Sequence, residues 1–107
     1  MDIERLHNFL EKPSYERQSG KTFSSFIVLL GEADFNGPDI FIICPSERRA
    51  RWAMDYLIEL AEREMGFKPK RLGHTKAIIG LRTYETIRQS RKDIKTAGKK
   101  SIKVYDD

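Results

Sequence analysis

The clearest hydrophobic pattern lies in the middle of the chain. Ile40–Cys44 is a continuous apolar run bounded by turn residues, which is typical of a strand buried on both faces. Residues 47–65 follow with an apolar stripe at helical spacing. Ser46 is placed to cap the amino end of this helix, and Gly66 is placed to end it. The pattern therefore predicts a strand, a tight turn and a long amphipathic helix.

The second half of the chain continues this alternation. It predicts strands at Lys76–Leu81 and Ser101–Tyr105, with a helix from Tyr84 to about Lys92 between them. Strands that alternate with helices across turn-length gaps are typical of βαβ units. The predicted fold class is α/β, a small three-layer domain with a mainly parallel three- or four-stranded sheet flanked by helices. We expect one domain over residues 1–107.

The first third of the chain is less clear. Residues 2–12 carry one apolar stripe and end at Pro13, which predicts an N-terminal helical segment over residues 1–13, ahead of a core at 14–107. Phe23–Leu30 fits either a helix or a strand. As a strand, it would form a hairpin with Ile40–Cys44 through the turn-rich residues 31–39.

Residues 15–22, YERQSGKT, contain the candidate chemistry. The phosphate-binding loop has the form GxxxxGK[ST], and here Tyr15 stands in place of its first glycine. Gly20 would let the backbone approach a phosphate, Lys21 would supply positive charge, and the Thr22 hydroxyl would bind Mg²⁺. A helix after this loop would direct its N–H groups at the same anion. This hypothesis requires the residues that follow Thr22 to be helical.

The segments RQSGKT, IFIICPS, IIGLRTYETIR and VYDD together resemble the N-terminal part of the ATPase domain of phage terminase large subunits. The first RecA-like half of helicases is similar more loosely. The resemblance covers about residues 14–107 and implies a P-loop-like domain that binds ATP and Mg²⁺. It implies that Thr22 and Asp106 hold the metal, and that the nucleotide lies against Arg17, Gln18, Gly20, Lys21, Thr22 and Asp106.

The chain also departs from the terminase pattern. Residues 11–16 offer no hydrophobic strand ahead of the loop, and Asp107 stands where the family has a glutamate that activates water. The chain ends at this point, so the resemblance is to a truncated and degenerate form of the domain. We therefore expect nucleotide or polyanion binding without independent hydrolysis.

Charge is distributed unevenly along the chain. The net charge is +4, yet residues 68–103 hold twelve Lys and Arg against two acidic residues. A basic face of this kind favours DNA or another nucleic acid as partner, because cations that meet phosphates release counterions. The predicted contacts are Lys68, Lys70, Arg71, Arg88, Arg91, Lys92, Lys99 and Lys100.

A non-enzymatic alternative stays open. A small phage protein of this kind could bind nucleic acid or a host protein through its basic C-terminal half. Trp52 beside Arg48, Arg49 and Arg51 would form a partner-binding patch if it were exposed, although we expect Trp52 to pack in the core.

Cysteine content and hydropathy place the chain among soluble proteins. The single cysteine, Cys44, excludes an internal disulfide and a multi-cysteine zinc site, and its position in an apolar run predicts a buried structural thiol. No apolar run is long enough to span a bilayer. We expect no membrane partner and a cytoplasmic protein, in the host cytoplasm if the protein is phage-encoded.

Overall fold

The computed structural model describes residues 19–98 and 100–106. Within them the chain forms a small α/β domain with three helices and five strands. The predicted N-terminal helix over residues 2–12 lies outside the described residues. The helices are α1 Ser19–Gly31, α2 Glu47–Arg63 and α3 Lys92–Thr96, and the strands are β1 Asp39–Cys44, β2 Lys70–Gly73, β3 Lys76–Ile79, β4 Arg82–Arg88 and β5 Ser101–Tyr105.

The five strands form one mixed sheet in the order β2-β3-β4-β1-β5. β1 lies between β4 and β5 and runs parallel to both. β2 pairs with β3, and β3 pairs with β4, both in antiparallel orientation. The prediction of a mainly parallel sheet of three or four strands is therefore wrong, because half of the strand pairings are antiparallel. The hairpins β2–β3 and β3–β4 account for the difference, since short turns join antiparallel neighbours.

The segment that the pattern left ambiguous is helical. Phe26, Leu29 and Leu30 are buried on one stripe of α1, whereas Val28 is 70% exposed. A strand would bury every second residue, and this spacing does not. The hairpin alternative for Phe23–Leu30 is thus wrong, and the requirement for a helix after Thr22 is met.

The central strand and helix agree with the sequence pattern. β1 is buried on both faces from Ile40 to Cys44. α2 begins after Ser46, whose hydroxyl accepts a hydrogen bond from the Arg49 N–H at 3.1 Å. Beyond α2, Gly66 has a φ of 71°, a left-handed conformation that suits glycine after a helix. Both predictions are confirmed.

The predicted helix from Tyr84 to Lys92 is wrong, because most of that segment is strand β4. Gly80 has a φ of 61° and opens a two-residue turn to β4. β4 then pairs with β3 on one side and with β1 on the other. Two threonines, a tyrosine and an isoleucine in RTYETIR suit this strand, because β-branched and aromatic side chains pack well on a pleated sheet.

The chain leaves β1 and β4 toward opposite faces of the sheet. α2, which follows β1, packs on the face that carries Ile40 and Ile42. The segment after β4 lies on the other face, where Lys95 of α3 is 3.7 Å from the Glu85 carboxylate. A right-handed return from β4 to β5 requires this arrangement. Among the described helices, none has the length and apolar character needed to cross a membrane.

Candidate functional site at the carboxyl ends of the parallel strands

Two helices begin at the edge of the sheet where the parallel strands end. The first turn of α1 contains the backbone of Gly20, Lys21 and Thr22. The first turn of α2 directly follows β1 and contains Arg49. Arg17 and Gln18, which the resemblance places at the nucleotide, lie outside the described residues. Of the residues 15–22 that were predicted to form a phosphate loop, the structure describes 19–22, and these lie in α1.

Thr22, Arg49 and Asp106 meet at the centre of the edge. The Arg49 guanidinium donates from Nε to Asp106 Oδ2 at 2.6 Å and from NH2 to Asp106 Oδ1 at 3.0 Å. The same NH2 group donates to the Thr22 hydroxyl at 3.2 Å. The side chains of Arg49 and Asp106 are only 7% and 4% exposed. A guanidinium fork on a carboxylate is the strongest geometry available to such a pair, and here it is almost completely withdrawn from water.

Local structure fixes each member of this cluster. Asp106 follows β5 directly, and its N–H donates to the Ile43 carbonyl at 2.8 Å, which extends the pairing of β5 with β1. The Ser46 cap orients the first turn of α2. The Arg49 guanidinium carbon also lies 4.1 Å from the centre of the Trp52 ring, one turn further along the helix. Arg49 is therefore held on two sides.

Trp52 packs as expected, against the core. It is half-buried and stacks on Tyr56, with ring centres 5.2 Å apart. A cation over an aromatic ring is stabilised by the negative face of the ring. The basic patch with an exposed tryptophan does not form, because Arg49 is buried in the cluster.

The environment of Cys44 agrees with a structural role for its thiol. Burial raises its pKa to about 12, and the Asp106 carboxylate adds to this shift. The thiolate is the reactive form of cysteine, so a thiol with this pKa is inert near neutral pH.

The arrangement of Thr22 and Asp106 does not fit a Mg²⁺ ion. The phosphate-loop hypothesis assigned these two residues as metal ligands, and in the fold both contact Arg49. Both carboxylate oxygens of Asp106, however, accept hydrogen bonds from Arg49. Mg²⁺ requires an octahedral shell of oxygen atoms at about 2.0–2.1 Å. In the described residues, no group of three acidic, histidine or cysteine side chains could hold a metal ion.

Next to the cluster a pocket of about 410 Å³ opens at the carboxyl ends of β1, β4 and β5. Ile43, Cys44, Pro45, Gln89, Tyr105 and Asp106 line it. Because the chain leaves β1 and β4 toward opposite faces, this is a topological switch point, where open α/β sheets bind their ligands. Its volume falls within the usual range for small-molecule sites, about 300–1,000 Å³.

The described residues of the predicted basic face lie in two separate parts of the chain's fold. Lys68, Lys70 and Arg71 lie at or beside the outer strand β2. The other group lies after β4 or beside β5, and consists of Arg88, Arg91, Lys92 and Lys100. Lys99 lies outside the described residues. The described members of the predicted basic face thus come from two separate parts of the fold.

Two of the basic residues are engaged within the domain. Arg71 donates to Asp55 at 2.5 Å and to the Gly73 carbonyl at 3.0 Å. Lys92 donates to the Tyr105 hydroxyl at 3.2 Å, and this bond raises the lysine pKa. Lys92 therefore stands at the rim of the pocket that Tyr105 lines.

Arg49 and Tyr105 are site residues that sequence reasoning missed. A signal for Arg49 was present, because a cation in the first turn of a helix opposes the helix dipole. Such a residue needs a compensating partner elsewhere in the fold, and here that partner is Asp106. Tyr105 had no comparable signal, since alternation within β5 does not distinguish a pocket wall from an exposed strand face.

Comparisons with protein-family models, with curated proteins and with solved structures gave no match. The resemblance to terminase ATPase domains therefore stays a prediction that rests on short motifs.

Proposed function

We propose that this domain binds a nucleoside phosphate at the carboxyl edge of its parallel strands and does not hydrolyse it. The observation that carries the proposal is the position of the Gly20-Lys21-Thr22 sequence. Residues Gly20–Thr22 begin α1 beside Asp106, at the switch point between β1 and β4. Helix amino ends attract anions through unpaired N–H groups and the helix dipole.

The pocket supports a ligand with a planar ring. Tyr105 is 53% exposed and forms one wall, while the exposed Pro45 adds apolar surface. A base can stack on an exposed tyrosine at little cost in side-chain entropy. Lys92, bonded to the same tyrosine, adds positive charge at the rim. Phosphates would then lie toward the first turn of α1.

We expect no hydrolysis because of the carboxylates that lie near the site. Among the described residues, Asp106 is the one carboxylate that lines this pocket. Both of its oxygens accept hydrogen bonds from Arg49, so its orientation is set by this ion pair and not by an attacking water. General-base catalysis by an acidic residue requires its carboxylate within hydrogen-bond reach of the attacking water.

Titration with a fluorescent ATP analogue tests this function. We expect saturable binding that Lys21→Ala weakens by about tenfold or more, since it removes charge that the phosphates would meet. Lys68→Ala is the matched control, because it removes the same charge from an exposed position just before β2, the strand at the end of the sheet opposite β5. No binding at millimolar nucleotide would contradict the proposal. Phosphate release that Lys21→Ala abolishes would contradict the lack of hydrolysis.

A second candidate function is binding of nucleic acid at the same edge. Arg88, Arg91 and Lys92 lie within five residues of one another, next to Gln89 of the pocket. Non-specific binding should weaken steeply with salt, with a log–log slope on the order of −0.9 per phosphate neutralised on duplex DNA. Replacing the three cations by alanine should flatten this slope by about 0.9 for each phosphate that the variant no longer neutralises. An unchanged slope in a folded triple variant would exclude these residues.

A further inference from the structure

The Arg49 guanidinium lies between the Thr22 hydroxyl and the Asp106 carboxylate. A hydroxyl and a carboxylate are the ligands that the phosphate-loop hypothesis assigned to a metal ion. We propose that Arg49 is a built-in cation that takes the place of a divalent metal, so that the domain binds its phosphate ligand without Mg²⁺. The identity of the ligand in this inference rests on the proposed nucleotide function. The exclusion of metal rests on the geometry of Thr22, Arg49 and Asp106.

The lone pairs of Asp106 that face Arg49 are not open to a metal unless Arg49 moves. Nε and NH2 of Arg49 bond one Asp106 oxygen each, at 2.6 and 3.0 Å. The Thr22 hydroxyl oxygen accepts from the same NH2 group. A metal ion would have to displace these hydrogen bonds to use the same lone pairs, and at the remaining lone pairs it would lie beside the positively charged guanidinium.

Displacement of Arg49 is unfavourable because of its surroundings. The side chain is buried, and its guanidinium lies over the Trp52 ring at 4.1 Å. If Asp106 bound a metal ion instead, the buried Arg49 guanidinium would lose its counterion, which is strongly destabilising. The hydrogen bond from the Arg49 N–H to Ser46 also fixes the backbone from which the side chain extends. The cluster thus favours its own cation over one from solution.

The consequence for the ligand is a preference for the metal-free nucleotide. A metal at Asp106 would contribute two positive charges and bridge to the phosphates. Arg49 contributes one charge, and Asp106 neutralises it. Mg²⁺ in solution would therefore not strengthen binding, and by neutralising the phosphates it would reduce their attraction to Lys21 and to the end of α1.

The first measurement compares nucleotide affinity with and without Mg²⁺. The wild-type protein is titrated with the fluorescent ATP analogue in EDTA and then in excess Mg²⁺. We expect the dissociation constant in Mg²⁺ to be equal to that in EDTA or higher. An affinity that Mg²⁺ strengthens by about tenfold or more would overturn the inference. Absence of binding under both conditions contradicts the proposed function and leaves the metal question to the second measurement.

The second measurement tests metal exclusion without any nucleotide. Mn²⁺ is added to the isotope-labelled wild-type protein, and NMR records which backbone amide signals its unpaired electrons broaden. We expect no selective broadening at Thr22, Arg49 or Asp106. Selective broadening at these residues at sub-millimolar Mn²⁺ would show that metal binds there and would overturn the inference, whether or not nucleotide binds.

A substitution then tests the role of Arg49 itself. Arg49→Met keeps most of the side-chain length and removes the cation, so Mn²⁺ should now broaden the signals of Thr22 and Asp106. Arg51→Met makes the same change at an exposed position two residues away and should behave as wild type. A folded Arg49→Met variant that still excludes Mn²⁺ would contradict the idea that Arg49 keeps the metal out. If this variant does not fold, the wild-type spectra decide the question.

Discussion

The buried pair of Arg49 and Asp106 should be the most strongly coupled ion pair among the described residues. Its two side chains share a two-pronged hydrogen bond and are less than a tenth exposed. Truncating one partner of such a pair costs about 3–5 kcal/mol, because the other charge stays buried without its counterion. A domain of this kind has a total stability of about 5–15 kcal/mol, so Arg49→Met should lower the urea midpoint by about 1 M or more.

A double-mutant cycle measures this coupling. Arg49→Met, Asp106→Asn and the double variant are unfolded in urea, and circular dichroism follows the transition alongside the fluorescence of Trp52, the only tryptophan in the chain. We expect the double variant to be more stable than the sum of the single effects predicts, by about 2 kcal/mol or more. Once both charges are gone, neither is left unpaired.

The exposed pair of Glu47 and Arg51 is the control for this cycle. Its charged atoms are 3.9 Å apart, and both side chains are about half exposed. Arg51→Met should change stability by less than about 0.5 kcal/mol. A coupling below about 0.5 kcal/mol for Arg49 and Asp106 as well would mean that the pair behaves like a surface contact, and the argument from burial would fail.

Three further predictions concern the frame around the site. The free energy of unfolding should fall as pH rises above about 9, the ordinary pKa of a thiol, toward the folded pKa of about 12 for Cys44. The unfolded chain releases this proton first, so the free energy of unfolding falls by up to about 1.4 kcal/mol per pH unit. Cys44→Ala should remove that share of the slope in urea unfolding at several pH values. Ser46→Ala should cost about 1 kcal/mol in urea unfolding through loss of the cap on α2, and an unchanged midpoint would contradict this. Gly80→Ala should lower the melting temperature more than Gly66→Ala, because both have positive φ but only at Gly80 does the new Cβ come within 2.5 Å of the Ala33 carbonyl oxygen.

The elements that sequence predicted correctly have complete local signals. β1 is an apolar run with turn residues on both sides, and α2 has an apolar stripe, a cap at Ser46 and a glycine at its end. Burial in the folded protein reinforces each of these local preferences. α1 could not be assigned from the sequence, because its apolar residues fit both the helical and the strand periodicity. Only the structure distinguishes the two, through the exposure of Val28.

The error at β4 has a different cause. Residues 84–92 contain apolar and threonine side chains at helical spacing, and Thr83 fits a helix cap. The competing signal was Gly80-Leu81 between two β-rich runs, a pair that suits a tight hairpin turn with glycine first. Once that turn forms, β4 is held from both sides by β3 and β1. Strand β2 offered no pattern at all, because all four of its residues are exposed.

The position of the candidate site follows from topology more than from motifs. Parallel strands end at one edge of their sheet, so the residues after β1 and β5 must come close together once the two strands pair. Sequence could therefore place Thr22 and Asp106 near each other through the phosphate-loop hypothesis. It could not supply the contact between Arg49 and Asp106, which are 57 positions apart and joined only through the register of β1 with β5. That contact changes the chemistry expected at this edge, because a carboxylate that would hold a metal ion instead neutralises an arginine of the same chain.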